Sequence, residues 1–128
     1  MINDKLINPD SIVVVGGSED LFKPGGKILK NIIDGKFRGN LCVVNPKQDL
    51  VQGVKSYRDL KEIPQTDLAI LAIQAKYCLP AVEILVEEKN TKAFIIISAG
   101  FSEAGEEGRK LEKEIAETDA EIKSLSAA

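Results

Sequence analysis

Two glycines and a serine stand at the end of the first apolar run of this sequence, as Gly16, Gly17 and Ser18. Because glycine lets the backbone approach a ligand closely, the N–H groups of such a loop, together with a serine hydroxyl, can cradle a phosphate. Lys23 and Lys27 follow near the start of a predicted helix, where positive charges oppose the helix dipole. A phosphate between them would remove that conflict. The pattern favours an anion site, with an ordinary turn and two solvated lysines as the alternative.

A second cationic motif ends the next apolar run, at Asn45, Pro46 and Lys47. A lysine on this loop can reach a phosphate attached to a ribose, whereas an NAD-binding domain would carry an Asp or Glu near this point. The glycine spacing is neither GxGxxG nor that of a P-loop, in which a serine or threonine would replace Ile28. The pattern therefore favours an adenine nucleotide richer in phosphate than NAD. A polar turn begun by Asn-Pro, and an NADP site in which Lys47 binds the 2′-phosphate, remain open.

Small residues mark two further loops, each after an apolar run. In a parallel α/β sheet these loops open on the ligand crevice, and small side chains leave room there, although short loops favour small residues in any case. The candidate lining residues are Ile73, Gln74 and Ala75 in one loop and Ser98, Ala99 and Gly100 in the other. Gly25, at the end of the first loop, completes the candidate site.

Composition excludes several classes of protein. The 128 residues favour one domain, residues 1–128, and the 44% apolar and 29% charged residues are typical of globular chains. A net charge of −3 argues against nucleic acid as a partner. No apolar run approaches the roughly 18 residues of a membrane span, and no signal-peptide pattern is recognised. The absence of His removes the commonest general base and metal ligand, so no metal site is predicted. Cys42 and Cys78 are predicted to be reduced, buried thiols of a cytoplasmic protein.

Four nearly continuous apolar runs predict the strands that position these loops. Such runs are typical of strands buried on both faces of a parallel sheet. Because helical stripes alternate with them, we expect an α/β fold, a Rossmann-like doubly wound parallel sheet with helices on both faces. The expected strand order, 3-2-1-4, puts the ligand crevice outside the carboxyl ends of strands one and four. The runs cover residues 12–15, 41–44, 68–73 and 93–97.

Apolar residues at helical spacing predict four helices. The first ends at Gly35 as a C-cap glycine, the second is short and stops before Pro64, and the third carries Pro80 in its first turn. The fourth is a charged helix near the end of the sequence. The apolar stripes are Ile28, Leu29, Ile32 and Ile33; residues 57–60 with Ile63; Leu79, Val82, Leu85 and Val86; and Leu111, Ile115, Ile122 and Leu125.

Four stretches of the sequence in combination resemble one protein family. They are VVVGGSEDLFKPGGKILKN, FRGNLCVVNPK, DLAILAIQAK and FIIISAGFSEAGEEG, within about residues 6–117. Together they resemble the CoA-binding domain of the NDP-forming acyl-CoA synthetases, which include ADP-forming acetate–CoA ligase and, more distantly, the α subunit of succinyl-CoA synthetase. The sequence departs from the family pattern at two places: Glu19, Asp20, Leu21 and Phe22 stand where members often carry a basic residue followed by Asp-Pro-Gly, and Gln74 stands where they often carry proline.

The resemblance implies coenzyme A as the ligand. It places CoA contacts in the first loop and near Lys23, puts Lys47 on the adenosine phosphate side, aligns residues 73–75 with the pantetheine chain and brings residues 98–100 near the thiol. It also implies partner domains, one with a phosphorylated histidine and one of the ATP-grasp type. The chain is then one module of a larger acid–thiol ligase, holds the CoA thiol beside an acyl phosphate and forms no acyl-CoA alone. An NAD(P)-binding domain and a non-catalytic CoA- or nucleotide-sensing module are the alternatives.

Overall fold

In a computed structural model, which describes residues 8–97 and the backbone of residues 121–125, the chain forms one mainly parallel sheet. Its strand order is β3-β4-β2-β1-β5-β6-β7, and only β3 and β4 pair antiparallel. The predicted α/β, Rossmann-like fold class is confirmed. The strands are β1 (Ser11–Val15), β2 (Asn40–Val44), β3 (Leu50–Val51), β4 (Val54–Tyr57), β5 (Leu68–Leu71), β6 (Ala93–Ile97) and β7 (Glu121–Leu125), and the helices are α1 (Pro24–Asp34) and α2 (Ala75–Lys89).

The central strands are buried on both faces because a helix packs on each side. On one face, Leu29 of α1 packs into a cluster with Val14 and Val43. On the other face, Leu85 of α2 packs with Val13 and its cluster. These side chains are fully buried, which explains why the strands are apolar at successive positions rather than at alternate ones.

The predicted strand order 3-2-1-4 is wrong. Numbered in the same way, the four predicted strands lie in the order 2-1-3-4, because β1 pairs with β2 on one side and with β5 on the other. The outer edge of β2 is already occupied, since Val43 pairs with Ser56 of β4. The next strand, β5, therefore takes the free edge of β1. The order reverses between β1 and β5, so the crevice lies outside the carboxyl ends of those two strands rather than of strands one and four.

A β-hairpin that the sequence analysis did not predict precedes the short helix predicted at residues 57–63, and that helix is only a single turn. Strands β3 and β4 pair across a two-residue turn, Gln52 and Gly53, whose φ angles are 50° and 80°. Positive φ at both central residues suits the right-handed twist of a hairpin. A single 3-10 turn, Leu60–Glu62, follows before Pro64. The apolar spacing at residues 57–63 was therefore a strand end and one turn.

The helix predictions had mixed outcomes. Helix α1 is confirmed, and Gly35 caps it, although with a φ of −74°; the left-handed residue is the next one, Lys36, at 56°. Helix α2 is confirmed, but it begins at Ala75, so Pro80 lies inside it and not in its first turn. Ile122 and Leu125 belong to β7, which pairs with β6, and not to a helical stripe. Leu111, Ile115 and the start of the predicted fourth helix lie outside the described residues.

The two cysteines are free, as predicted. Cys78 is fully buried against the sheet, whereas Cys42 is only half-buried in β2. Within the described residues, no helix is long and apolar enough to cross a membrane.

Candidate functional site

Three loops meet at the carboxyl edge of β1, and Gly16 is the point where they touch. We call residues 16–23 the first loop, residues 45–49 the second and residues 72–74 the third. The Gly16 N–H donates to the Val44 carbonyl, with 3.0 Å between N and O, and the Ala72 N–H donates to the Val15 carbonyl at 2.8 Å. Gly16 has a φ of 88°, a conformation that residues with a side chain rarely adopt. The strand order thus brings the three predicted loops together.

The glycines of the site allow close contacts between backbones. A Cβ atom on Gly16 would lie 2.4 Å from the Ala72 carbonyl oxygen, and one on Gly17 would lie 2.6 Å from Val43 Cγ1. A Cβ atom on Gly25, in the first turn of α1, would lie 2.0 Å from the Gly16 carbonyl oxygen. The start of α1 therefore sits directly against the first loop, and no larger residue fits there without movement of the backbone.

The first loop and the first turn of α1 offer backbone donors that have no acceptor among the described residues. Within the described residues, the N–H groups of Gly17, Ser18, Glu19 and Gly25 donate to no protein acceptor. The Ser18 hydroxyl oxygen accepts from the Asp20 N–H at 3.0 Å, which turns the loop, and its own proton remains available. Uncommitted N–H groups next to a helix N-terminus are suited to an anion.

Two lysines add positive charge to this end of α1. Lys23 is the N-cap residue of α1, but its side chain forms no capping hydrogen bond. The first turn of α1 contains no acidic residue. Lys23 and Lys27 are exposed, and neither forms an ion pair with any residue of the described part. The charges therefore add to the positive end of the helix dipole, as the sequence indicated. The carboxylate of the loop residue Asp20 accepts the Phe22 N–H and forms no ion pair with either lysine.

Asn45 connects the second loop to the first. Its Nδ2 donates to the Gly17 carbonyl at 3.1 Å, while its Oδ1 accepts from the Lys47 N–H at 2.9 Å. One side chain thus fixes Gly17 and Lys47 relative to each other. Pro46 and Lys47 are exposed beside this bridge. The sequence predicted Lys47 and the glycine loop separately; Asn45 is the residue that joins them.

The third loop packs on Gly16 and leads into α2. The Ile73 side chain borders Gly16, since its Cγ2 would be 3.0 Å from a Cβ atom there. Gln74 is the exposed N-cap residue of α2 without a side-chain cap, and Ala75 is the first helical residue. The structure thus brings the predicted residues of three loops to one edge. The predicted Ser98, Ala99 and Gly100 lie outside the described residues.

Sequence reasoning missed Gln52, whose side chain reaches the first loop from the β3–β4 hairpin. Its Nε2 donates to the Ser18 carbonyl at 2.8 Å and to the Gly26 carbonyl at 3.0 Å. Its backbone N–H donates to the Glu19 carboxylate. The signal in the sequence was Gln-Gly between Leu50-Val51 and Val54, a glycine-containing pair of residues between two short β-compatible stretches.

The chemistry of the described residues is that of a binding site. Burial raises the pKa of the Cys42 thiol and of the Cys78 thiol to about 11, so both are protonated at neutral pH and neither is a thiolate nucleophile. Among the described residues, no three His, Cys, Asp or Glu side chains cluster in a way that could hold a metal ion. What the edge does offer is uncommitted N–H groups and lysines, which suit a phosphorylated ligand.

Known proteins are similar to this chain in sequence. Residues 10–124 match the family described as CoA binding domain. The α subunit of an ADP-forming acetate–CoA ligase II from Pyrococcus furiosus is 42% identical over 117 residues, which are 89% of this chain and 25% of that subunit. The chain therefore spans about a quarter of the length of this relative.

Solved structures agree on the fold. The dinucleotide-forming acetyl-coenzyme A synthetase 1 of Ca. Korarchaeum cryptofilum, in complex with phosphate and ADP, superposes with a TM-score of 0.79 at 28% identity, over 93% of this chain and 26% of that one. A conserved hypothetical protein from Pyrococcus furiosus gives a TM-score of 0.72 at 25% identity, over 89% of this chain and 91% of that one. The match along residues 10–124, with the ligase relative, shows that this chain belongs to the CoA-binding domain family found in ADP-forming acyl-CoA synthetases.

Proposed function

We propose that this chain holds coenzyme A at the carboxyl edge of β1 and β5 and positions its thiol for acyl transfer in an NDP-forming acyl-CoA synthetase. The phosphates lie at the first loop and at Lys47, and the pantetheine chain follows residues 73–75 toward residues 98–100. The observation that carries the proposal is the set of uncommitted N–H groups in the first loop, next to the cationic start of α1. Family membership supports CoA as the ligand.

The role of the chain in this proposal is to position the thiol, not to activate it. A thiol held beside an activated acyl group reacts in an almost unimolecular step, and good positioning contributes about 7–11 kcal/mol to lowering a barrier. Gly16, Gly17 and Gly25 keep the backbone close to the phosphates, and Asn45 keeps Lys47 in register with them. The acyl phosphate, the histidine that carries the phosphoryl group and the ATP-grasp domain belong to the rest of the synthetase.

A non-catalytic CoA-sensing module is the second candidate. The observation in its favour is that this chain covers 91% of the solved chain of a conserved hypothetical protein, which leaves little length in that chain for a further domain. The two candidates share one ligand and differ in what surrounds the domain. The reading frame around this sequence separates them, because a synthetase continues into a histidine-bearing domain or is encoded with one.

The test of the ligand is a comparison of CoA, dephospho-CoA, NADP and NAD by calorimetry and thermal unfolding. A ligand that binds only the folded state at 100 times its Kd stabilises that state by about 2.7 kcal/mol. We expect CoA to raise the midpoint of unfolding most and NAD least, because Lys47 stands where an NAD site would carry an acid. An affinity for NAD or NADP equal to that for CoA would contradict the proposal.

A further inference from the structure

We propose that Gln52 is a positioning residue for CoA: it joins the two ends of the first loop and thereby orders the N–H groups that face the phosphates. This inference rests on the proposed function. Gln52 lies in the β3–β4 hairpin, which is not one of the three loops at the carboxyl edge of β1, and it acts through the backbone of the first loop and the first turn of α1.

Both hydrogens of the Gln52 side-chain amide nitrogen are donated to backbone carbonyls of the first loop and of α1. A primary amide carries two hydrogens, and here one is donated to Ser18, near the start of the loop, and the other to Gly26, just after its end. The N–O distances of 2.8 and 3.0 Å are those of normal hydrogen bonds. Since Gln52 is half-buried, these bonds are partly protected from water. One side chain thus spans the entire loop.

The bond to the Ser18 carbonyl also orients a donor. The peptide unit is planar and trans, so the C=O of Ser18 and the N–H of Glu19 point in opposite directions. While Gln52 holds that carbonyl, the Glu19 N–H is turned away from the hairpin, and it has no acceptor within the described residues. Gln52 therefore fixes the direction of a donor that it does not touch.

The same hairpin accounts for one of the two acidic residues in the loop, Glu19, whereas the other, Asp20, accepts the Phe22 N–H within the loop. The carboxylate of Glu19 accepts the backbone N–H of Gln52. Its negative charge is thereby directed to the hairpin rather than to the N–H groups of the loop. The departure of Glu19 from the family pattern is thus part of the hairpin contact.

The backbone of Gln52 makes a discriminating substitution possible. Its φ of 50° is unfavourable for most residues with a side chain, but asparagine tolerates it well. Gln52→Asn keeps an amide and suits the turn, yet it is one methylene too short to reach both carbonyls. The variant therefore removes the two side-chain bonds while it preserves the hairpin.

The experiment measures CoA affinity by calorimetry and, without ligand, backbone order parameters of residues 17–22 by NMR. For Gln52→Asn we expect an affinity loss of about tenfold, which corresponds to about 1.4 kcal/mol. The order parameters are expected to fall from about 0.85 toward 0.6 in the loop, with β1 unchanged. An unchanged affinity, or unchanged order in the loop, overturns the proposal.

Two controls separate positioning from stability. Gln65→Asn makes the same change at an exposed residue before β5, and it is expected to alter neither measurement. Val82→Ala removes buried volume from α2 and lowers the midpoint of unfolding, with CoA affinity of the folded protein unchanged. If Val82→Ala weakens CoA binding as much as Gln52→Asn does, the effect is one of general stability and the proposal fails. If the wild type itself does not bind CoA, the proposed function fails, whereas the ligand-free order parameters still report on the Gln52 contact.

Discussion

Replacement of Gly25 by alanine tests whether the close contact between α1 and the first loop builds the site. A Cβ atom at this position would lie 2.0 Å from the Gly16 carbonyl oxygen and 3.3 Å from Gly17 Cα. Ordinary van der Waals contact begins near 3.4 Å, so the start of α1 and the loop must separate by about 1.4 Å, the difference between 3.4 and 2.0 Å. Both partners are backbone and neither can rotate away.

The expected change in stability of Gly25→Ala is the sum of two opposing effects. Overpacking of this kind destabilises by about 1–3 kcal/mol, and the better helix propensity of alanine offsets at most about 1 kcal/mol. The displacement also moves the N–H donors, and loss of one charge-assisted hydrogen bond of about 1.5–3 kcal/mol weakens CoA binding about ten- to hundredfold. We expect Gly25→Ala to lower the midpoint of unfolding by a few degrees and the affinity by at least tenfold.

The matched control is Gly35→Ala, the same substitution at the other end of α1. Gly35 has a φ of −74°, and its Cβ would meet the Asn31 carbonyl oxygen at 3.2 Å, a contact that a small shift relieves. Calorimetry with CoA and thermal unfolding of both variants complete the assay. Wild-type affinity in Gly25→Ala, or an equal loss in Gly35→Ala, would refute the argument that the contact at Gly25 shapes the phosphate site.

Two further predictions concern Lys47 and the thiols. Lys47→Ala is expected to lower the affinity for CoA about ten- to hundredfold and the affinity for dephospho-CoA less. The control is Lys30→Ala, because Lys30 lies in α1 and pairs with Asp34. Equal losses of affinity for both ligands would mean that Lys47 does not contact the 3′-phosphate. The fold favours the neutral thiols of Cys42 and Cys78, because burial raises their pKa values from 9.0 to about 11. As the pH rises, the unfolded state therefore loses these protons first. The free energy of unfolding is expected to fall between pH 9 and pH 11. Chemical denaturation at pH 8 and pH 10.5 should show a smaller drop for a variant with alanine at both positions, and an identical drop would contradict the assignment.

The fold class could be predicted from the sequence because burial on both faces leaves a simple signal. Strands β1, β2, β5 and β6 are apolar at successive positions, and helix α1 carries its stripe at regular spacing. The strand order could not be predicted from those signals. It depends on the hairpin at Gln52 and Gly53, whose two strands are only two and four residues long and too short to give a periodic pattern. Because that hairpin occupies the outer edge of β2, the next strand, β5, pairs with the free edge of β1.

The candidate site was easier to predict as separate motifs than as an assembly. The glycines and lysines could be recognised as candidate phosphate-binding residues from their residue types alone, so the first and second loops were identified from the sequence. Their connections were not, because Asn45 and Gln52 act through carbonyl oxygens of residues 26 to 34 positions away. A bond to a backbone carbonyl leaves no complementary residue in the sequence to recognise. Lys47 was identified for its charge and Asn45 as a candidate residue of the same motif, but the bond by which Asn45 joins the two loops could not be predicted from the sequence.

The candidate site is therefore built mainly from backbone groups, and this affects how it can bind a phosphorylated ligand. Three of the described contacts that join its loops end on a backbone carbonyl, two of them from side-chain amides: Gly16 to Val44, Asn45 to Gly17, and Gln52 to Ser18. Backbone donors held by a sheet require little reorganisation when a phosphate arrives, so the binding free energy is not spent on ordering the site. They also carry no information about the ligand beyond its negative charge. Discrimination among nucleotides must then come from the exposed side chains at the rim, of which Lys47 is the one tied directly to the cradle through Asn45.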